Sequence, residues 1–259
     1  MPLPRALVIT TLITAPPAYY VYTTVNRLEA KYPCLNPETS STTALRTPSY
    51  PVTHHTPHVD VYAGNVPVEP LLKHHGPDGR KLSPEEAWAK HFLESPMLQL
   101  EGKLFGRFSH GPGDLGERGF HAKQALIHGG LEVVRPPSQP SSAFLRPLTS
   151  PTPLLVKWTM PVHVVAFFRK AASDWGYPWR MMSGGRHEMS VGEVGHDGTV
   201  EVRFASAHDY EWIKDEGKNQ KTIPEWTARL HRAYARWLLD ERIEALKRAA
   251  ASDAGPQLD

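Results

Sequence analysis

Two stretches near the C-terminal end of the chain alternate between apolar and polar residues with a period of two. Residues 186–194 form the first stretch and residues 199–212 form the second. Between them stands the sequence GHDG, whose Asp-Gly pair is typical of a tight turn between antiparallel strands. The alternation therefore predicts a β-hairpin, and the run Ser183-Gly184-Gly185 before it predicts a turn.

The apolar residues of this hairpin also predict its register. A buried face requires apolar side chains opposite one another across the two strands. Pairing Val194 with Thr199 meets this requirement. It implies three further pairs, which are Val191 with Val202, Met189 with Phe204, and His187 with Ser206.

Strand parity separates the consecutive residues Arg186, His187 and Glu188. His187 points to the inner face with the apolar residues, whereas Arg186 and Glu188 point to the outer face. We expect that outer face to be exposed, with Glu188 in a diagonal surface pair with Arg203. The three residues therefore do not form one catalytic cluster.

Helix signals are clearest after residue 82. Ser83-Pro-Glu-Glu86 combines a capping serine, a proline at the first helical position and a glutamate that completes a capping box. It predicts a helix to about Leu93, which Pro96 limits or kinks. Residues 98–108 alternate like a strand, although a helix that continues past Pro96 fits them as well. Further helices are predicted at residues 161–175 and 222–250.

The remaining strands are predicted from short apolar or alternating runs. They lie at residues 58–63, 120–127, 131–134 and 154–160. With the hairpin and the long terminal helix, this order of elements predicts an α+β fold. In that fold an antiparallel sheet wraps around the C-terminal helix, which is the helix-grip arrangement.

The N-terminal part of the chain has a different character. Residues 6–25 carry no charge and are long enough to cross a bilayer, but Pro16-Pro17 is predicted to break a helix in their middle. A membrane anchor, a secretory signal and an extended apolar arm lying on the domain or on a membrane all remain open. Residues 33–81 and 136–153 are rich in proline and are predicted to be mainly loop. We therefore divide the chain into an irregular arm (1–57), one domain (58–250) and a disordered tail (251–259).

Composition narrows the partners that this fold would have. The 259 residues carry a formal net charge of +2, so a nucleic-acid partner is not expected. The one cysteine, Cys34, excludes a disulfide within the chain and a zinc site made of cysteines. This composition fits a cytoplasmic protein, with membrane association through residues 6–25 as an open alternative.

Familiar catalytic and phosphate-binding motifs are absent from the sequence. Gly184-Gly185 precedes a strand rather than a helix, so it is not a phosphate loop, and no GxSxG motif is present. Five histidines between residues 54 and 75 lie in the predicted proline-rich loop, where rigid metal ligation is not expected. We therefore predict no metal site and no cofactor.

Candidate chemistry appears where the inner face of the hairpin changes from apolar to polar. His187, Ser206, His208 and Tyr210 all point to that face at one end of it. Neutral histidine can serve as an acid or a base, and tyrosine can donate a hydrogen bond to a developing oxyanion. We predict His187, His208 and Tyr210 as catalytic residues. The predicted substrate-binding residues are Ser206, Met189, Phe204, Val202 and Trp158.

Two segments resemble a known superfamily. They are EEAWAKHFLESPMLQLEGKLFG (85–106) and SGGRHEMSVGEVGHDGTVEVRFASAHDYE (183–211), followed by the terminal helix. With the order of elements, they resemble the START-like, or polyketide-cyclase-like, superfamily and an uncharacterised domain family within it, over roughly residues 58–250. The N-terminal arm and the long proline-rich loops depart from the compact pattern of that family.

The resemblance implies a cavity between sheet and terminal helix that binds an apolar small molecule. It implies a cofactor-independent cyclase, isomerase or lyase that acts on a hydrophobic natural-product intermediate, polyketide-like or terpenoid-like. A non-catalytic protein that binds or transfers a lipid is the alternative. A membrane-tethered partner protein with a vestigial pocket is a third.

Overall fold

The computed structural model describes residues 5–76, 79–105, 114–137 and 152–253, and for residues 5–16 and 105 it describes the backbone alone. Its strands are β1 (His54–Pro67), β2 (Ala125–Leu126), β3 (Leu131–Arg135), β4 (Leu154–Thr159), β5 (Gly184–Val194) and β6 (Thr199–Glu211). Its helices are α1 (Arg5–Lys31), α2 (Pro37–Ser40), α3 (Thr43–Arg46), α4 (Glu69–Leu72), α5 (Pro84–Leu93), α6 (Pro96–Phe105), α7 (Val162–Asp174) and α8 (Glu225–Asp253).

The strands form one antiparallel sheet in the order β1-β6-β5-β4-β3-β2. The long helix α8 packs on it, so the predicted α+β helix-grip architecture is confirmed. The β5–β6 hairpin has the predicted pairs Val191–Val202, Met189–Phe204 and His187–Ser206. Only the turn end differs, because a register shift after Val191 places Val194 opposite Val200 rather than Thr199.

The inner face of the sheet carries the main hydrophobic core. Helices α5 and α8 cover this face, and α5 begins with the predicted capping box at Ser83 and Glu86. Phe92 of α5 stacks on Phe204 with ring centroids 4.5 Å apart. Trp88 of α5 is fully buried and donates its indole N–H to the backbone oxygen of Arg203 at 3.0 Å. Each contact ties the capped helix to β6.

The outer face of the sheet is not open to solvent, which corrects the prediction for Arg186 and Glu188. Leu45 of α3 packs there against Leu155 and Ala207 in a second, smaller core. Arg186 and Glu188 are buried beneath this N-terminal segment. The predicted Glu188–Arg203 pair is wrong, because Glu188 pairs with Arg135 and Arg203 pairs with Glu201.

Helix α1 runs through Pro16-Pro17, so the predicted helix break and the extended arm are wrong. Proline removes one hydrogen bond but keeps a φ that suits a helix, and packing of the following turns can hold such a helix together. Leu28 and Tyr32 are buried in the main core, and Lys31 Nζ pairs with Asp240 Oδ1 of α8 at 2.6 Å. Within the described part of the chain, no helix is both long enough and apolar enough to span a bilayer.

Several element boundaries also differ from the sequence-based expectations. Residues 96–105 form α6, so the helical alternative is correct there, and residues 106–108 lie outside the described chain. The strand predicted at 120–127 is reduced to Ala125–Leu126, and the short strand predicted at 58–63 extends to the whole of β1. Helix α8 continues through Asp253, so residues 251–253 are not a disordered tail, and residues 254–259 lie outside the description.

Candidate functional site

Two rows of side chains cross the inner face of the sheet at its polar end. The first row runs from Trp158 through Gly185 and His208 to His58, one residue from each of β4, β5, β6 and β1. The second row, one step further along the strands, is Val156, His187, Ser206 and Asp60. Strand pairing therefore brings His187, His208, Ser206 and Trp158 into one region, as the sequence predicts.

The central contact of this region joins β6 to α8. The Nε2 atoms of His208 and His231 lie 2.8 Å apart, and the ring planes meet at 73°. One Nε2–H donates and the other Nε2 accepts, so the two rings must be in different tautomers. His231 was missed by the sequence analysis, although it stands three residues after buried Ala228 and four before buried Ala235 on the face of α8 that packs against the sheet.

Burial keeps these imidazoles neutral. It lowers the pKa of His187 to about 3, with a smaller contribution from His231. Burial and the neighbouring His231 and His187 lower the pKa of His208 well below its usual range, and burial with Arg232 lowers the pKa of His231. At neutral pH all three rings are therefore uncharged and can share hydrogen bonds, and none is a standing imidazolium.

Aromatic rings lie against His187 and His208. The Trp158 ring lies 6.4 Å from His187 and 6.1 Å from His208, and the Phe204 ring lies 5.2 Å from His187. Gly185 makes this arrangement possible, because a Cβ on it would stand 2.8 Å from the Trp158 ring. Trp158 therefore reaches across β5 to its contact with His208.

Three buried polar atoms near this region have no hydrogen-bond partner within the described chain: Trp158 Nε1, Tyr62 Oη and Arg236 Nη1. The Arg236 guanidinium lies 4.4 Å above the Tyr62 ring, which itself pairs with Phe204 across β1 and β6. Unpaired buried groups are rare in folded proteins and commonly mark the position of water or of a ligand. The Trp158 and Tyr62 groups give this face free hydrogen-bond donors, whereas Arg236 Nη1 lies 3.9 Å from Glu29 Oε1 in an ion pair.

Asp60 adds a carboxyl group beside Ser206. Burial raises the pKa of this carboxyl, while Arg232 and His58 act in the opposite direction. The exposed residue Cys34 places its Sγ 4.0 Å from Asp60 Oδ1. The predicted strand at 58–63 contains His58 and Asp60, but the sequence analysis did not assign them to the site; β1 carries both into the sheet beside the predicted residues.

Tyr210 lies one step beyond His208 on the same face, in a different environment. Its ring is 6.0 Å from that of His55, and its hydroxyl accepts a 3.5 Å hydrogen bond from the backbone N–H of Ile223. Burial raises the pKa of Tyr210 to about 12, so its hydroxyl stays protonated. It borders a cavity of about 10 Å³ together with Val165 and Met181.

The predicted substrate-binding residues Met189, Val202 and Phe204 are packed in the main core, and Ser206 is buried beside them. A larger space than the one beside Tyr210 is an open groove of about 500 Å³ between α1 and α8. Val21 and Tyr22 line one side of it, and Trp226 and Leu230 line the other. His187, His208 and His231 line neither of these two spaces.

No group of three or more histidine, cysteine or acidic side chains in the described ranges is placed to hold a metal ion. No family model, no curated protein and no solved structure matches this chain.

Proposed function

We propose that the chain is a cofactor-independent enzyme that moves protons within a hydrophobic small molecule, as a cyclase, isomerase or lyase does. The observation that supports this most strongly is the 2.8 Å bond between the neutral rings of His208 and His231. It stands on an apolar face where the Trp158 indole N–H and the Tyr62 hydroxyl have no hydrogen-bond partner within the described chain. Membership of the START-like superfamily, as the resemblance implies, is part of the same proposal.

The tautomers of this histidine pair determine its chemistry. The ring that donates through Nε2 has an unprotonated Nδ1, and the ring that accepts through Nε2 carries its proton on Nδ1. The pair therefore offers one base and one acid. A substrate C–H proton passes to the free Nδ1, the shared Nε2 proton crosses to the second ring, and that ring returns its Nδ1 proton to another substrate atom. Charge and protons balance, and the pair ends in the opposite tautomeric arrangement.

The surroundings favour an apolar substrate with one polarised group. Trp158 offers a ring face, and negative charge that develops on a substrate oxygen can accept hydrogen bonds from the Trp158 and Tyr62 donors. His187, one row away, is a second neutral base. Ser206 and Tyr210 supply hydroxyl groups along the same face. The proposal includes a cytoplasmic location, with residues 6–25 as a membrane-associating segment.

Solvent-isotope exchange tests this function directly. The substances that co-purify with the chain from its native host are extracted, returned to purified protein in D₂O, and followed by mass spectrometry. We expect the wild-type chain to introduce deuterium into one of them. His208→Gln and His231→Gln should slow exchange by about 100-fold or more, a typical contribution of acid–base catalysis, while ligand binding persists.

His196→Gln is the matched control for both variants, because His196 lies exposed in the β5–β6 turn. Its rate should equal that of the wild type. If wild-type protein introduces deuterium into none of the co-purified substances, the enzyme proposal is contradicted.

The open groove between α1 and α8 favours a second candidate, a carrier of hydrophobic molecules. Its walls are mostly apolar side chains, and its volume of about 500 Å³ suits a small lipid-like ligand. A carrier predicts that Leu230→Trp, which fills this groove, abolishes ligand recovery. The enzyme predicts loss of exchange with the histidine variants instead, so the two experiments separate the candidates.

A further inference from the structure

Helix α7 has an unusual distribution of apolar side chains. Among its thirteen residues only Ala171 and Ala172 are buried. Val162 is 79% exposed and Phe167 is 55% exposed, and Trp175, which caps the helix, is 65% exposed. Single exposed apolar residues are ordinary in proteins, but a helix that turns its large apolar side chains outward needs something to cover them.

The exposed rings of α7 belong to a continuous surface. Ring contacts of 5.2–6.4 Å connect the members in sequence, from α7 through the following loop to the start of α8. We call this surface the aromatic belt; it consists of Phe167, Phe168, Trp175, Tyr177, Trp179 and Trp226. Trp226 is 62% exposed and is also a wall of the groove between α1 and α8.

The belt thereby continues onto α1. Residues 6–26 of that helix carry no charged side chain, and Tyr19, Tyr20 and Tyr22 are exposed on its surface. Tyrosine favours the membrane–water interface, and no helix of the described chain is long and apolar enough to cross a bilayer. The belt follows the end of β4 along the chain, and Trp226 connects it with the groove that Val21, Tyr22 and Val25 of α1 line.

We propose that the aromatic belt and α1 together dock the protein on the surface of a phospholipid bilayer. Trp and Tyr favour the bilayer interface, because their rings enter the apolar layer while N–H and O–H groups bond to headgroups and water. Arg169 pairs with Glu211 and Arg180 pairs with Glu216, so Lys170 is the basic side chain of residues 161–182 that is left to contact an anionic headgroup. Lys170 is exposed on the same helix as Phe167.

A fluorophore attached at single positions tests this docking without depending on any one aromatic side chain. Cys34 is the only cysteine, so Cys34→Ser provides a background for one new cysteine. An environment-sensitive label at Phe167→Cys should brighten and shift to shorter wavelength when vesicles of phosphatidylcholine with a minor fraction of phosphatidylserine are added. The matched label at Val194→Cys should not change, because exposed Val194 lies at the opposite end of β5.

Vesicle sedimentation supplies the second readout. The double variant Trp175→Ser, Trp226→Ser should bind about ten-fold less tightly, since it removes two large apolar surfaces from the interface. The control Tyr50→Ser, Trp237→Ser removes two exposed aromatic residues outside the belt and should bind like the wild type. If the double variant of the belt does not fold, the fluorescence change of the label at position 167 still tests whether the belt contacts the bilayer.

Three results would overturn the proposal. The wild-type chain could fail to sediment with vesicles, or the label at 167 could stay unchanged while the chain binds. Alternatively, the label at 167 could respond to protein concentration without lipid, with a dimer seen by sedimentation velocity, in which case the belt is a contact between two copies. None of these results depends on the outcome of the isotope-exchange experiment.

Discussion

At the scale of single residues, Arg186 shows what strand alternation can and cannot predict. The alternation correctly assigns Arg186 to the face opposite His187, but it contains no information about a distant segment that covers that face. The guanidinium bonds to both carboxylate oxygens of Asp209 at 2.5 and 2.8 Å, and it donates to Leu45 O and Thr56 Oγ1 at 2.8 and 3.0 Å. Arg186 therefore joins β5, β6, β1 and α3 in the interior.

Asp209→Asn should destabilise the fold strongly, because it leaves the buried Arg186 charge without its carboxylate. Loss of one partner of a buried pair costs about 3–5 kcal/mol in the free energy of unfolding. Chemical denaturation measures this cost. Glu201→Gln is the control, since its pair with Arg203 is partly exposed, and such pairs contribute about 0–1 kcal/mol. Equal costs for the two variants would contradict the role given to Asp209.

At the scale of elements, local patterns predict most of what depends on neighbouring residues. The hairpin register follows from its own apolar residues, and the start of α5 follows from its capping box. The length of β1 and the continuity of α1 could not be predicted, because each depends on a partner far away in the sequence. β1 is stabilised by pairing with β6, and α1 is held by ion pairs with α8.

The start of β5 shows the same limit in the candidate site. Gly184-Gly185 predicts a turn, but both residues belong to the strand. A Cβ on Gly185 would lie 2.3 Å from the backbone oxygen of Ala207 and 2.8 Å from the Trp158 ring. Glycine is needed here for close approach, and the sequence cannot show this because Trp158 is on another strand. The missed contact partner of His208, His231, likewise comes from a separate element.

Gly185→Ala should therefore displace Trp158 from His208 and destabilise the sheet, with a typical overpacking cost of about 1–3 kcal/mol. Gly192→Ala is the matched control in the same strand, because its Cβ would meet neighbouring atoms at an ordinary 3.5 Å. Thermal unfolding of the two variants compares the costs. If Gly185→Ala and Gly192→Ala unfold at the same temperature, the close approach of Trp158 to Gly185 does not contribute to stability.

At the scale of the whole molecule, buried histidines connect folding to pH. Burial is the largest cause of the lowered pKa values of His187, His208 and His231, and it also lowers the pKa of His91 to about 4. The unfolded chain binds protons at these rings below about pH 6.5, whereas the folded chain does not. The free energy of unfolding must therefore fall as the pH drops from about 6.5 toward 4. Buried Asp60, whose pKa is raised, works in the opposite direction.

His187→Leu should flatten this dependence. It removes one ring whose folded-state pKa is about 3, so the slope of unfolding free energy against pH should decrease by up to about 1.4 kcal/mol per pH unit between pH 6 and 4. Urea unfolding at several pH values gives the slope. His196→Leu, at an exposed position, should leave the slope unchanged. An unchanged slope in His187→Leu would show that this ring is protonated in the folded chain.

The position of β1 at the edge of the sheet has a consequence for synthesis on the ribosome. Its hydrogen-bonded neighbour is β6, so residues 54–67 leave the exit tunnel long before residues 199–211 are made. During that interval α1 also lacks α8. The nascent chain thus exposes an unpaired strand and an apolar helix until β6 and α8 have been made, and sequence-distant pairing of this kind is slow to form. A chaperone that shields residues 6–67 would protect the chain during the interval when it is most prone to aggregate.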